Sequence, residues 1–306
     1  MNCGDIAERL WEGFRRWKPC GVIALVAGLL AGACTSVSPR ARGTDPVGEV
    51  SGEARFNARA GHGEALYLTL RGEQGESWRF LVDTGAPDTM LDRSLESKLG
   101  PALGSEAANY GWFGRRNVKV FAAPPLFLGR TRLRAGDRVL TDDFRALFPQ
   151  RHIMGILGMD CLRHYCVQMD FGTATIRFLD QPPGGNLGKA FRLGTSAGGI
   201  FIEGDLLGAG PADFQVDTGC TVDAVMESGL FQAVVRRQTP IRTTRFRSPA
   251  GRPVLESLFA EGTFGGESYR RLIVDGADDN LLGLRFLARH VVTLDGPRST
   301  LYLRRR

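Results

Sequence analysis

The sequence predicts a mainly β protein built from two similar β-lobes, related by a pseudo-two-fold axis, with a cleft between them. Three repeated stretches predict it. Phe80-Leu-Val-Asp-Thr-Gly85 recurs as Phe214-Gln-Val-Asp-Thr-Gly219. Ile156-Leu-Gly-Met-Asp-Cys-Leu162 is answered by Leu281-Leu-Gly-Leu-Arg-Phe-Leu287. Each copy then closes on strand-turn-strand text, Val167-Gln-Met-Asp-Phe-Gly172 with Thr175-Ile-Arg-Phe178 and Val292-Thr-Leu-Asp-Gly296 with Thr300-Leu-Tyr-Leu303. Self-similarity of this kind outranks any local pattern as a guide to the fold.

The offsets agree with one duplication. Asp83 and Asp217 lie 134 residues apart, whereas Gly158 and Gly283, like Asp170 and Asp295, lie 125 apart. The first copy therefore carries nine more residues between its Asp-Thr-Gly and its Leu-Gly. Strand-like text precedes each Asp-Thr-Gly, at Ala65–Leu70 and Gly199–Glu203, and short apolar stretches broken by Gly and Pro dominate the remainder. Helical text is limited to Met90–Leu99, read as one helix or turn, and to the segments after Leu157 and Leu282. The boundaries that follow are a signal peptide at 1–33, a linker at 34–54, a first lobe at 55–180, a turn-rich linker at 181–190 containing Gln181-Pro-Pro-Gly-Gly-Asn186, and a second lobe at 191–306.

The N-terminus reads as an export signal. Arg15, Arg16 and Lys18 precede the apolar run Val22–Leu30, which is short for a bilayer span, and small residues follow up to Cys34. Leu30-Ala-Gly-Ala-Cys34 resembles a bacterial lipoprotein processing site, at which Cys34 becomes the lipidated first residue; Ala31-x-Ala33 suits ordinary cleavage before Cys34 equally well. A lipid there would tether the protein to a membrane without a spanning helix. The expected location is the bacterial cell envelope, either periplasmic or lipid-anchored.

Composition excludes several classes. Of 306 residues, 43% are hydrophobic and 24% charged, which is the balance of a globular chain. Removing residues 1–33 leaves 35 basic and 30 acidic residues, a net charge of +5 spread along the chain. No dense basic block with interleaved aromatics appears, so nucleic-acid binding is not expected. Cys161, Cys166 and Cys220 include no C-x-x-C pair; they read either as small buried residues or as the source of one disulfide. His62, His152, His164 and His290 show no metal-ligand spacing, and no metal or organic cofactor is implied.

A lone Asp-Thr-Gly is an ordinary turn. Two copies in register, each ending an apolar strand and each followed by a Leu-Gly element, point to a pair of carboxylates. Phe-Leu-Val-Asp83-Thr84-Gly85-Ala86, with Ile-Leu-Gly-Met-Asp further on, resembles the retropepsin-like aspartic peptidases, and the resemblance covers roughly residues 55–305 in two copies. It implies two β-barrel lobes, a catalytic dyad of Asp83 and Asp217, an extended peptide or unfolded protein as substrate, a monomer carrying both lobes, and a hairpin flap. Two close carboxylates share one proton, so one activates water while the other holds the substrate carbonyl. Thr84 and Thr218 are expected to hydrogen-bond across the pseudo-two-fold, and Gly85 and Gly219 to allow close backbone approach. Neither Ala86 nor Cys220 supplies a hydroxyl to the dyad, so activity is expected to extend toward neutral pH.

The flap is assigned to Asn109-Tyr-Gly-Trp-Phe-Gly114, where Tyr110, Trp112 and Phe113 either cover a substrate or pack on their own lobe. Ser248-Pro-Ala-Gly251 occupies the corresponding stretch of the second copy without aromatics, so one working flap is expected. The second copy departs from the family text at Asp223, where the first has Thr89, and at Asn280, where the first has Gly155. These changes are expected to threaten the second half of the site. Gly194-Thr-Ser196-Ala-Gly198 matches the pattern of a serine nucleophile, but strand text follows it where a helix is needed. The alternative within the same fold is a catalytically weak or inactive peptide-binding envelope protein.

Overall fold

A computed structural model describes residues 52–149, 151–196 and 199–306. The export signal, Cys34 and nearly all of the 34–54 linker lie outside the described residues.

The described chain is mainly β, in three sheets. None of them closes on itself, so the β-barrel expectation is corrected to open sheets. The reason lies in the strands themselves. Several central ones, such as Met90–Asp92, Gly155–Leu157 and Leu281–Gly283, have only three residues, and the sheet edges are formed by hairpin strands that find no partner across the sheet.

The first sheet runs, in spatial order, Tyr67–Arg71, Ser77–Val82, Gly155–Leu157, Met90–Asp92, Arg138–Asp142, Arg115–Ala122 and Gly104–Asn109, with two short strands at Phe127–Leu128 and Thr131–Arg132 beyond Tyr67–Arg71. The second runs Gly199–Gly204, Ala212–Asp217, Leu281–Gly283, Ala224–Glu227, Glu267–Ala277, Pro253–Phe264 and Arg242–Arg247, with Gly194–Ser196 beyond Gly199–Gly204. Seven strands thus follow in the same order in both sheets. The strand directions match as well. Gly155–Leu157 lies parallel to Ser77–Val82 and antiparallel to Met90–Asp92, just as Leu281–Gly283 lies parallel to Ala212–Asp217 and antiparallel to Ala224–Glu227.

Each Asp stands at the end of a strand that buried apolar residues pin. Phe80 and Val82 are fully buried, as is Phe214, and Val216 nearly so. Burying one such side chain contributes about 1.5–3 kcal/mol. Gly155 is required beside Phe80, since a Cβ there would collide with the ring.

A third sheet joins the two sequence halves. Cys166–Asp170 pairs with Thr175–Leu179 on one side and with His290–Asp295 on the other, and His290–Asp295 pairs with Thr300–Arg305. Its edges are Gly52–Arg55, from the stretch read as a linker, and Lys189–Arg192, which begins inside the stretch read as the inter-lobe linker. The main apolar core runs without interruption from Phe56 to Leu303 through all three sheets.

Helix is sparse. Met90–Leu99, read as one helix or turn, is a short strand at Met90–Asp92 followed by a 3-10 helix at Arg93–Lys98, whose first turn Asp92 caps by accepting from Ser94 N at 3.0 Å. The longest helix among the described residues, Ser228–Arg237, had no counterpart in the sequence reading; it buries Phe231 and Val234, one helical turn apart. Asn280 explains its start. The side chain of Asn280 accepts from Glu227 N at 2.9 Å, at the entry to that helix, so the departure from Gly155 gives the second half a cap that the first half does not use.

Candidate active site

Asp83 and Asp217 meet at the junction of the first two sheets, 1% and 0% exposed. Four hydrogen bonds between Thr84 and Thr218 and the opposite strands lock them there. Thr84 N donates to Thr218 Oγ1 and Thr218 N to Thr84 Oγ1, both at 3.0 Å. Each hydroxyl then donates onward, Thr84 to Val216 O at 2.7 Å and Thr218 to Val82 O at 2.8 Å. Each Thr oxygen is thereby both acceptor and donor, so neither buried hydroxyl is left without a partner.

The glycines bring the carboxylates together. A Cβ on Gly85 would lie 2.7 Å from Asp217 Cγ, and one on Gly219 would lie 2.5 Å from Asp83 Oδ2. Each carboxylate is also held by its own loop. Gly85 N donates to Asp83 Oδ1 at 2.8 Å; Gly219 N and Cys220 N donate to Asp217 Oδ1 at 2.7 and 3.1 Å. Gln215 adds a contact between the halves, its amide donating to Gly85 O at 3.3 Å.

Burial is the largest influence on both acids. It raises Asp83 from 3.8 to about 6, offset in part by hydrogen bonds from Asp217 and from the Gly85, Ala86 and Gly219 amides. Asp217 rises further, through burial, the neighbouring charge of Asp83, and its hydrogen bond to Asp83. Both shifts run upward, so the two carboxyls disfavour joint ionisation and share a proton as a pair.

The hairpin formed by Gly104–Asn109 and Arg115–Ala122 carries the three aromatics at its tip, and they diverge. Tyr110 is fully buried in a cluster of its own half that includes Ala86 and Ile156. Trp112 is buried in a cluster of the other half, with Cys220, Val222, Val225, Val254, Ile273 and Leu281. Phe113 packs against both clusters and meets Phe148 edge-on at 5.3 Å. The tip also meets the second hairpin directly, where Ala250 N donates to Trp112 O at 2.9 Å. The stretch Ser248–Gly251 has no aromatic of its own, but Phe246, just before it, stacks on Trp112 at 5.8 Å and 13°. That aromatic lay outside the stretch compared in the sequence.

The suspected weakness of the second copy is absent from the local packing. Thr89 donates to Asp160 at 2.7 Å and accepts from Gly158 N at 3.2 Å. In the corresponding place Asp223 is fully buried and accepts from Arg285 Nε at 2.9 Å, from Arg289 at 2.8 and 3.0 Å, and from Ile273 N at 2.8 Å. Arg285 and Arg289 were missed as supports. The signal was available, because Arg285 lies 125 residues after Asp160, the same offset that relates Gly158 to Gly283.

Ser196 is exposed on a strand that pairs with Gly199–Gly204, so no strand-to-helix turn presents it as a nucleophile. Cys161 and Cys166 are free, and Cys220 is disulfide-bonded, so no disulfide joins these three to one another. Among the described residues no group of three or more His, Cys, Asp or Glu is placed to hold a metal ion.

With this geometry established, residues 68–161 match a family model described as aspartyl protease. The match takes in Asp83, the aromatic hairpin and the first Leu-Gly element. No curated protein matches the chain. The matched residues are similar to the aspartyl protease family, and that similarity suggests peptidase activity.

Proposed function

We propose that this chain is an aspartic endopeptidase in which two lobes, related by a pseudo-two-fold, share a dyad of Asp83 and Asp217. The observation that carries the proposal is the reciprocal Thr84–Thr218 lock with each glycine seated against the opposite carboxylate. One Asp-Thr-Gly turn needs no such partner. The common strand order of the first two sheets supports the two-lobe reading.

In the proposed reaction ionised Asp83 takes a proton from water, and the water oxygen bonds to the scissile carbonyl carbon. Protonated Asp217 gives its proton to the carbonyl oxygen, forming a neutral gem-diol. Asp83 then returns its proton to the departing nitrogen as the C–N bond breaks. Asp217 recovers a proton from a gem-diol hydroxyl, and a carboxylic acid and an amine are released. The dyad ends in its starting protonation state, so no cofactor is consumed. An extended peptide or unfolded protein is the proposed substrate, and the working unit a monomer.

The test is cleavage of an unfolded protein by the full chain, beside Asp83→Asn and Asp217→Asn, with a statine-type transition-state analogue as inhibitor. Loss of activity in both variants is expected; unchanged activity in either overturns the shared dyad. We further propose export to the bacterial envelope with lipid on Cys34, which palmitate labelling of the wild type and of Cys34→Ser would test. Label on both chains, or on neither, overturns the lipid.

A further inference from the structure

The tip of the first hairpin places an aromatic on either side of the dyad. Tyr110 lies among residues of its own half, with Ala86 directly after the first Asp-Thr-Gly and Ile156 from the strand parallel to Ser77–Val82. Trp112 lies among the equivalents across the site, with Cys220 directly after the second Asp-Thr-Gly and Leu281 from the strand parallel to Ala212–Asp217. The same two offsets, 134 and 125, relate Ala86 to Cys220 and Ile156 to Leu281.

One member of the Trp112 cluster is tied to the dyad, since Cys220 N donates to Asp217 Oδ1 at 3.1 Å. Apart from Phe113 beside it, every described residue clustered with the indole belongs to the other half. The indole is 7% exposed. Stacking on Phe246 and the Ala250 N to Trp112 O hydrogen bond hold it from the opposite hairpin. A side chain needed only to stiffen its own hairpin has no reason to be anchored this way. Both carboxylates are buried in the same molecule whose tip is anchored this way.

We infer that Trp112 is a built-in occupant of the apolar pocket beside Asp217, and that a peptide gains the site by replacing the indole with a bulky apolar or aromatic side chain of its own. The inference rests on the peptidase reading for its substrate, and on packing alone for its pocket. The resting molecule is then closed by its own tip. Apparent affinity is reduced by the fraction of molecules in which the indole has left. Small or charged side chains at that position do not replace the lost packing, so the same residue sets selectivity.

The experiment uses the full chain. Trp112→Ala empties the pocket and is expected to lower KM for a peptide bearing Phe at the cleavage site by on the order of tenfold, the gain from removing a closed state populated about ten to one. Trp112→Phe keeps a smaller occupant and is expected to lower KM by clearly less than Trp112→Ala does. Phe246→Ala loosens the latch without emptying the pocket and is expected to lower KM to a smaller extent. A raised KM in Trp112→Ala, or a lowered kcat at constant KM, is the signature of a residue that covers bound substrate, and overturns the inference.

A second readout does not need turnover. With Trp11, Trp17 and Trp78 replaced by Phe, Trp112 is the remaining indole of four. Binding of a statine-type analogue with Phe side chains is expected to shift its emission to the red as the ring enters water. Emission that stays blue with the analogue bound overturns the inference, as does an analogue bound by neither wild type nor Trp112→Ala. A red shift without cleavage under any condition sinks the peptidase reading and leaves the occupied pocket standing.

Discussion

Asp223 and Arg285 form a buried ion pair at 2.9 Å in the place where the other sequence half has Thr89 donating to Asp160. Both positions changed and the contact survived. Such an exchange keeps the loop after Asp217 tied to the helix after Gly283, which is what the loop after Asp83 obtains from Thr89. A carboxylate that is fully buried needs this much partnering, and Asp223 has two guanidinium groups and a backbone amide.

Removing that carboxylate is expected to be costly. Asp223→Ala leaves Arg285 and Arg289, each about a quarter exposed, without their buried acceptor and Ile273 N without its partner. A loss of about 3 kcal/mol is expected, the lower part of the range for a broken buried pair because both guanidinium groups reach solvent. Asp223→Thr combined with Arg285→Asp copies the first half and is expected to recover much of it. Urea denaturation of the three proteins checks this, and a double variant less stable than the single one refutes the equivalence.

The threonine lock gives a second expectation. Thr84→Val removes the donor to Val216 O and the acceptor of Thr218 N. Two buried partners are left unsatisfied, at about 1–3 kcal/mol each. Thr84→Ser keeps both bonds and is expected to remain within about 1 kcal/mol of wild type. Thermal unfolding of the pair separates the hydroxyl from the methyl group. Equal losses in the two variants would mean that packing, and not the reciprocal bonding, holds the dyad.

Gly85→Ala and Gly219→Ala test the approach of the carboxylates. The added methyl falls 2.7 Å from Asp217 Cγ in the first and 2.5 Å from Asp83 Oδ2 in the second. Neither fits without moving a carboxyl group, and a shift of about 1 Å at a reacting centre costs on the order of 100-fold in rate. Peptide cleavage by each variant is expected to fall at least that far. Near wild-type turnover in either would mean that the Asp pair is not the reacting centre.

Burial of the dyad has a measurable cost in stability. Asp83 binds its proton more tightly folded than unfolded, its value moving from 3.8 to about 6. The folded state therefore holds more protons between those values, and stability falls as pH rises from about 4 through about 6. Asp83→Asn is expected to be more stable than wild type above pH 6, by on the order of 3 kcal/mol, with the gap closing below pH 4. Denaturation at pH 3.5 and pH 7 checks the sign. In the peptidase assay the same ionisation places the acid limb of kcat/KM near pH 6, so activity extends toward neutral pH.

Much of the site was legible because duplicated text is self-aligning. The offset of 134 residues pairs Asp83 with Asp217 and Thr84 with Thr218, and the lock between them follows once two such loops face each other. Other features were less accessible. The divergence of Tyr110 and Trp112 depends on which way a hairpin tip leans, which spacing along one strand does not encode. Phe246 was overlooked because its strand lies next to the compared turn and not within it. The helix Ser228–Arg237 is only ten residues long, with Phe231 and Val234 buried and Leu230 and Val235 packed beside them, too short a stripe to stand out in an eleven-residue window. The expectation of barrels came from the family resemblance alone, and no pattern in the residues argued for closure.

The sheet that unites Cys166–Asp170 with His290–Asp295 has a consequence for how the molecule comes apart. Its central ladder is made of one strand from each half, so continuity of the peptide between them is not what keeps the halves together. A break in the turn at Pro182–Asn186 severs the chain but leaves that ladder and the surrounding core intact. The protein is accordingly a natural candidate for fragment complementation, in which two separately made polypeptides assemble into one site and neither builds it alone.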